Sequence, residues 1–278
     1  MNVSQLAINS VSTRHASMEE ALSAYAEAGF QNVEFVIPQL KGWMRDGRTV
    51  ADLRALLDRH GLRCVGGFEC GVECFSDPKS RAANHDLVLA NAELLHQLGG
   101  GVLVVGTDGP QQPSLQALDA VAEVFAGLAG RMEGLNVSVA IEFNWSPLIK
   151  SLRSAQLVAA KVNHPQVGVL FDTAHYYVTP SKMEQLTPEA VALIKHVHIN
   201  DMADKPGELS NCNSDRVLPG QGVLDLPAIL ARLEDGGYRG YYSIELFNEE
   251  LWQLPAAETA RRCYQSLLPY CKDAGDQK

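Results

Sequence analysis

Short apolar runs alternate along the chain with longer stretches in which apolar residues recur every three or four positions. The short runs lie at 5–9, 32–37, 62–68, 102–106, 137–143, 167–172, 196–200 and 242–247, and their β-branched and aromatic content predicts strands. Between them the 3.6-residue period predicts helices at 18–28, 50–59, 81–98, 114–132, 151–162, 188–194, 226–234 and 256–268. Gly29, Gly61 and Gly99 follow three of these helices, where a left-handed residue is wanted, and Thr187-Pro188 offers a cap and a first-turn proline. Strict alternation predicts parallel strands with right-handed crossovers. Eight units of about 35 residues each fit a closed (β/α)8 barrel better than an open doubly wound sheet. No G-x-G-x-x-G follows the first strand, and the run Gly99-Gly100-Gly101 precedes a strand, not a helix, so neither is a phosphate cradle. With no Pro/Gly/Ser-rich linker between units, one domain over residues 1–278 is expected.

The polar positions inside the later runs are where chemistry enters. Alternate residues of a barrel strand point inward and outward, and function gathers at the C-terminal ends of the strands. Along 137–143, Val137, Val139, Ile141 and Phe143 share one face, while Ser138, Ala140 and Glu142 share the other. Along 167–172, Val167, Val169 and Phe171 oppose Gly168, Leu170 and Asp172. Val197 and Ile199 oppose His196, His198 and Asn200, and Ile244 and Leu246 oppose Ser243 and Glu245. Four times the apolar residues take the helix side, and the inward face ends in Glu142, Asp172, His198 and Glu245. Alone, each reads as a solvated carboxylate or a hydrogen-bonded core histidine. Together, three carboxylates and an imidazole at one barrel mouth call for a compensating divalent cation. Such a donor set suits manganese, magnesium, zinc, cobalt or iron without choosing among them.

Composition narrows the partners. Of 278 residues, 46% are hydrophobic, enough to bury a sizeable core. Twenty-three Lys and Arg against 33 Asp and Glu give a net charge of −10, which disfavours nucleic acid and anionic membranes. The six cysteines form neither a disulfide framework nor a zinc-type C-x-x-C pair. No membrane-length apolar stretch and no basic-then-apolar leader is visible, so a cytoplasmic protein with reduced thiols is expected.

Five segments carry a resemblance: Ile141-Glu142-Phe143, Phe171-Asp172-Thr173-Ala174-His175, His196-Val197-His198-Ile199-Asn200-Asp201, the loop from Asp215-Arg216 to Pro219-Gly220-Gln221-Gly222, and Ser243-Ile244-Glu245-Leu246-Phe247. The chain resembles the xylose-isomerase-like TIM-barrel superfamily of sugar isomerases and epimerases, and looks nearest to its inosose (2-keto-myo-inositol) isomerase-like branch. The resemblance implies that Glu142, Asp172, His198 and Glu245 hold one metal ion and that His175 and Arg216 contact substrate. It implies proton transfer beside a carbonyl through a cis-enediolate, with Glu142 and Glu245 as the acid–base pair in an order left open. Glu34, on the inward phase of its strand, is expected to reach the substrate or brace His198. Trp43, Phe68 and Trp145 are expected to wall the pocket, with His196, Asn200 and Asp201 in support. The purpose of Glu69 and Glu73, in a Gly- and Cys-rich loop, is unassigned. The implied partner is a small sugar or polyol ketone, and no basic cluster argues for a phosphorylated one. Barrels of this kind often pair through their loops, so a homo-oligomer is compatible with the resemblance. A lyase on the same scaffold, of the inosose or 3-dehydroshikimate dehydratase kind, begins with the same proton abstraction and stands as the alternative. A repair endonuclease needs a richer histidine cluster and a basic groove, and a non-catalytic sugar-binding module would need no acid–base pair.

Overall fold

All eight apolar runs form strands. The computed structural model describes residues 1–45 and 47–273. Its strands are β1 (Leu6–Asn9), β2 (Asn32–Val36), β3 (Arg63–Phe68), β4 (Val102–Val105), β5 (Ser138–Glu142), β6 (Val167–Asp172), β7 (Ile194–Ile199), β8 (Asp201–Met202), β9 (Arg216–Val217) and β10 (Tyr242–Ile244). Strands β1 to β7 and β10 close into a parallel barrel in the order β1-β10-β7-β6-β5-β4-β3-β2. Closure comes from β1, which pairs with β10 through Leu6↔Tyr242 and Ile8↔Ile244 and with β2 on its other side. A (β/α)8 TIM barrel is the architecture that the alternation predicted.

Packing divides by strand phase. Val139, Ile141, Val169, Phe171, Val197 and Ile199 point outward and join helix residues such as Leu22, Tyr25, Phe125 and Leu152 in one buried core. Ala140 and Leu170 take the opposite phase and form a small interior cluster with Val102, Val104 and Phe68. Each fully buried side chain of this size contributes roughly 1.5–3 kcal/mol, so both layers hold the barrel rigid beneath its mouth. The helices start on side-chain caps: Ser17, Thr49, Ser114 and Ser151 each accept an amide from three residues on.

Three differences from the sequence reading matter. The helix expected at 188–194 is Pro188–Val191, and Ile194 opens β7. The sheet takes it, because Leu193 O accepts from Val169 N at 2.9 Å and Ile194 stands opposite Val169. The short helices Ile37–Met44, Thr173–Val178 and Glu249–Trp252 fill strand-to-helix loops. Finally, β8 and β9 form an antiparallel ribbon outside the barrel. Buried Asp201 pins the loop after that ribbon: Oδ2 accepts from Gly220 N and Gly222 N, and Oδ1 accepts from Met202 N and Leu224 N. Gly220 has φ +86°, and a Cβ on Gly222 would lie 2.2 Å from Met202 O. The Pro-Gly-Gln-Gly motif is therefore a backbone requirement of this anchor. No helix of the described residues is long and apolar enough to cross a membrane, and none of the six cysteines is disulfide-bonded.

Candidate active site

Strand ends deliver the charged groups to one place. Glu142 ends β5, Asp172 ends β6, His198 is the penultimate residue of β7 and Glu245 follows β10. All four are buried, and one ligand atom from each lies within 4.8 Å of the others.

The surroundings decide which atoms face the centre. Asp172 caps the helix Thr173–Val178, its Oδ1 accepting from Ala174 N at 2.7 Å and His175 N at 3.0 Å. That leaves Oδ2 aimed inward, in ion-pair contact with Arg216 Nη2 at 3.0 Å but without an aligned hydrogen bond among the described residues. His198 turns Nε2 to both oxygens of Glu34, at 3.0 Å each. Its Nδ1 lies 3.2 Å from Glu245 Oε2, 3.6 Å from Asp172 Oδ2 and 3.8 Å from Glu142 Oε1, again without an aligned partner. A buried carboxylate oxygen and a buried ring nitrogen left unbonded at one point fit a metal ion, since buried polar atoms are otherwise satisfied.

Glu34 also accepts from His196 Nε2 at 3.2 Å, and it is fully buried beneath the mouth. It does not line the cavity above the cluster. Its contacts are those of a brace: a carboxylate on Nε2 holds the His198 ring so that Nδ1 is the nitrogen turned toward the other three carboxylates. Glu34, His196 and His198 themselves form a second close group of donors, but the Glu34 oxygens are already taken by imidazole N–H groups.

Arg216 sits on β9 with 1% exposure. Its Nη1 donates to Glu245 Oε2 at 2.5 Å and its Nε to Cys212 O at 2.6 Å, and the guanidinium lies over the Phe247 ring. His175 points Nε2 at Glu142 Oε1, 3.2 Å away, and takes the Asn144 amide at Nδ1, 2.9 Å away. Asn9, from β1, donates to Glu245 Oε1 at 3.2 Å.

Charge and burial set the protonation states. Burial pushes the Glu34 carboxyl up, but the two imidazoles beside it reverse this and hold it well below the usual range. Glu142 is likewise lowered against burial by His175 and His198. Asp172 is lowered against burial by Arg216, His175 and His198. Burial lowers His175, yet the Asp172 carboxylate, the Cys212 thiol and Glu142 outweigh it and push it up to about 10. His198 is raised in the same way, chiefly by Glu245 and Glu34.

Above the cluster lies a cavity of about 290 Å³, lined by Phe68, Asn144, Trp145, Phe247 and the polar groups Glu142, His175, Cys212, Asn213, Arg216 and Glu245. Larger cavities, of about 530 Å³ behind Trp145 and about 640 Å³ beside the 217–221 loop, do not contain the cluster. Trp145 can stand here because Gly106 follows β4: a Cβ there would lie 2.8 Å from the indole. Phe68 meets Trp145 edge to face at 6.1 Å. Trp43 does not wall this pocket; its indole N–H donates to Glu19 at 2.8 Å beside another cavity. Glu69 pairs with Lys41, and Glu73 lines the cavity behind Trp145. The sequence reading missed Asn9, Asn144 and Phe247. Asn9 had a signal, a polar residue closing an apolar run. Asn144 and Phe247 lie in loops whose direction only the fold sets.

Residues 22–267 match the family model for the xylose isomerase-like TIM barrel. The inosose isomerase of Bacillus licheniformis is 37% identical over 149 residues, 52% of this chain and 53% of that protein, so the match spans about half the length of that relative. The inosose dehydratase of Erwinia tasmaniensis is 25% identical over 260 residues, 82% of each chain. Among solved structures, the IOLI protein with a binding zinc atom superposes with a TM-score of 0.86 at 23% identity, covering 95% of this chain and 97% of that one, a likeness of fold. The chain belongs to the xylose isomerase-like TIM-barrel family.

Proposed function

From that membership we propose that the protein is a divalent-metal-dependent isomerase or epimerase of a small polyol ketone, of the inosose type. The observation that carries the reading is the convergence of Glu142, Asp172, His198 and Glu245, with Asp172 Oδ2 and His198 Nδ1 buried at its centre and without an aligned hydrogen bond among the described residues. These four would hold the ion, His198 through Nδ1. When bound, the ion supplies Lewis-acid stabilisation of negative charge developing on substrate oxygen.

The chain's own groups do the rest. Glu142 ends β5 and Glu245 follows β10, with β6 and β7 between them around the mouth, and each lines the cavity. One removes the proton beside the carbonyl and the other returns it, by way of a cis-enediolate. His175 and Arg216 present N–H groups to substrate hydroxyls while holding Glu142 and Glu245 in place. Phe68, Trp145 and Phe247 provide flat apolar walls for the C–H faces of a ring and exclude water. A cavity of about 290 Å³ suits a single ring.

Incubation of the metal-loaded protein with 2-keto-myo-inositol and with ketohexoses in deuterium oxide tests this. The expected product is isomeric, carries one solvent deuteron and keeps every hydroxyl. A dehydrated product would make the protein a lyase, and no exchange with any ketone would end the reading.

A further inference from the structure

Asn144 follows Glu142 by two residues and has φ +70°. Among the described residues, the other non-glycine at positive φ is Asn163, which closes the helix Leu152–Val162. Asn163 has that ordinary explanation, whereas Asn144 ends no helix. Its left-handed turn reverses the chain just past β5, and Asn144 N donates to Ile149 O at 2.8 Å to close the loop. The same turn swings the side chain back over the strand end, where the amide meets His175 Nδ1 at 2.9 Å. The opposite nitrogen of that ring faces Glu142 Oε1 at 3.2 Å and Arg216 Nη2 at 3.5 Å.

From this geometry we infer that Asn144 is a positioning residue, which fixes the His175 ring so that Nε2 stays on Glu142 and the substrate pocket. An imidazole held at Nε2 alone can still rotate; a second hydrogen bond at Nδ1 removes that freedom. An amide suits the task because its NH2 donates to a bare Nδ1, and after a half-turn its carbonyl accepts from Nδ1–H. Asparagine also tolerates the left-handed backbone better than other side chains of comparable reach. Backbone and side chain therefore ask for the same residue. The inference rests on the pocket being the isomerase site proposed above.

The test compares Asn144→Gly and Asn144→Asp with the wild type. Glycine keeps the backbone and deletes the amide. With the Mn2+-loaded protein and 2-keto-myo-inositol, Asn144→Gly should lower kcat by about 10²-fold with KM little changed, the scale expected from a displaced catalytic-site group. Mn2+ affinity should fall far less than kcat, because Asn144 touches His175 and none of the four ligands directly. In 15N-labelled protein the His175 ring-nitrogen signals should move or double in Asn144→Gly. In Asn144→Asp the Nδ1 signal should shift while the ring stays in one form, since a carboxylate still accepts from Nδ1–H as the amide carbonyl does but adds a charge there. Unchanged His175 signals, an unchanged kcat, or a rise in KM alone would each overturn the inference. If the wild type turns over no inosose, the isomerase reading fails, and the ring signals still decide whether Asn144 fixes His175. Should the glycine variant not fold, the aspartate variant's ring signals carry the decision.

Discussion

The two halves of the barrel share one backbone geometry and differ in what they aim at its centre. The half built from β5, β6, β7 and β10 ends inward in Glu142, Asp172, His198 and Glu245. The half built from β1 to β4 presents Asn9 and Glu34, then Phe68 and the bare backbone of Gly106. Ionisable groups concentrate on one side, and the other supplies supports and walls. Even the acidic residue of the first half works for the second: Glu34 crosses the barrel to His198. Grouping the charges in one half lets a single cation and one arginine offset all of them. A wall without charge leaves room for a ring.

Substitutions can break or sharpen this division. Glu142→Gln or Glu245→Gln should cost the most, lowering kcat by about 10²- to 10⁴-fold with the circular dichroism spectrum intact. Arg216→Met comes next. It leaves Asp172 Oδ2 and Glu245 Oε2 without their guanidinium, and breaking such a buried pair costs about 3–5 kcal/mol. Urea melts of the metal-free protein measure it, and a loss below 1 kcal/mol would show that the pair is not structural. Glu34→Gln should weaken divalent-ion affinity by about 10- to 100-fold, read by calorimetric titration, because a neutral amide releases the His198 tautomer. An unchanged affinity would deny Glu34 its bracing role. Phe68→Leu should have the smallest effect, a several-fold rise in KM without change in kcat, the mark of a wall that binds ground and transition states alike. If Phe68→Leu lowered kcat as far as Glu142→Gln does, the division between halves would be wrong.

Much of this was legible from the order of residues, for a definite reason. The side-chain period of a strand is two, so a charged residue closing an apolar run falls inward whenever its neighbours must face the helices. Phase alone thus assigned Glu142, Asp172, His198 and Glu245 to one mouth. The loops obey no such period. Trp43 read as a pocket wall because sugar faces stack on aromatic rings, yet the helix Ile37–Met44 carries it toward Glu19. Arg216 belongs to no barrel strand, and its burial follows from the Asp201 anchor, which draws the ribbon over the mouth.

The sequence by itself determined the alternation, the closed barrel and the four inward charges, because these follow from hydrophobic periodicity and local caps. Only the tertiary structure decided how those charges are used. Which nitrogen of His198 is free depends on Glu34, 164 residues away in the chain. Which oxygen of Asp172 is free depends on the helix it caps. The direction of His175 depends on a left-handed turn at Asn144. Hydrogen bonds across the barrel set these choices, and no local pattern of hydrophobicity encodes them.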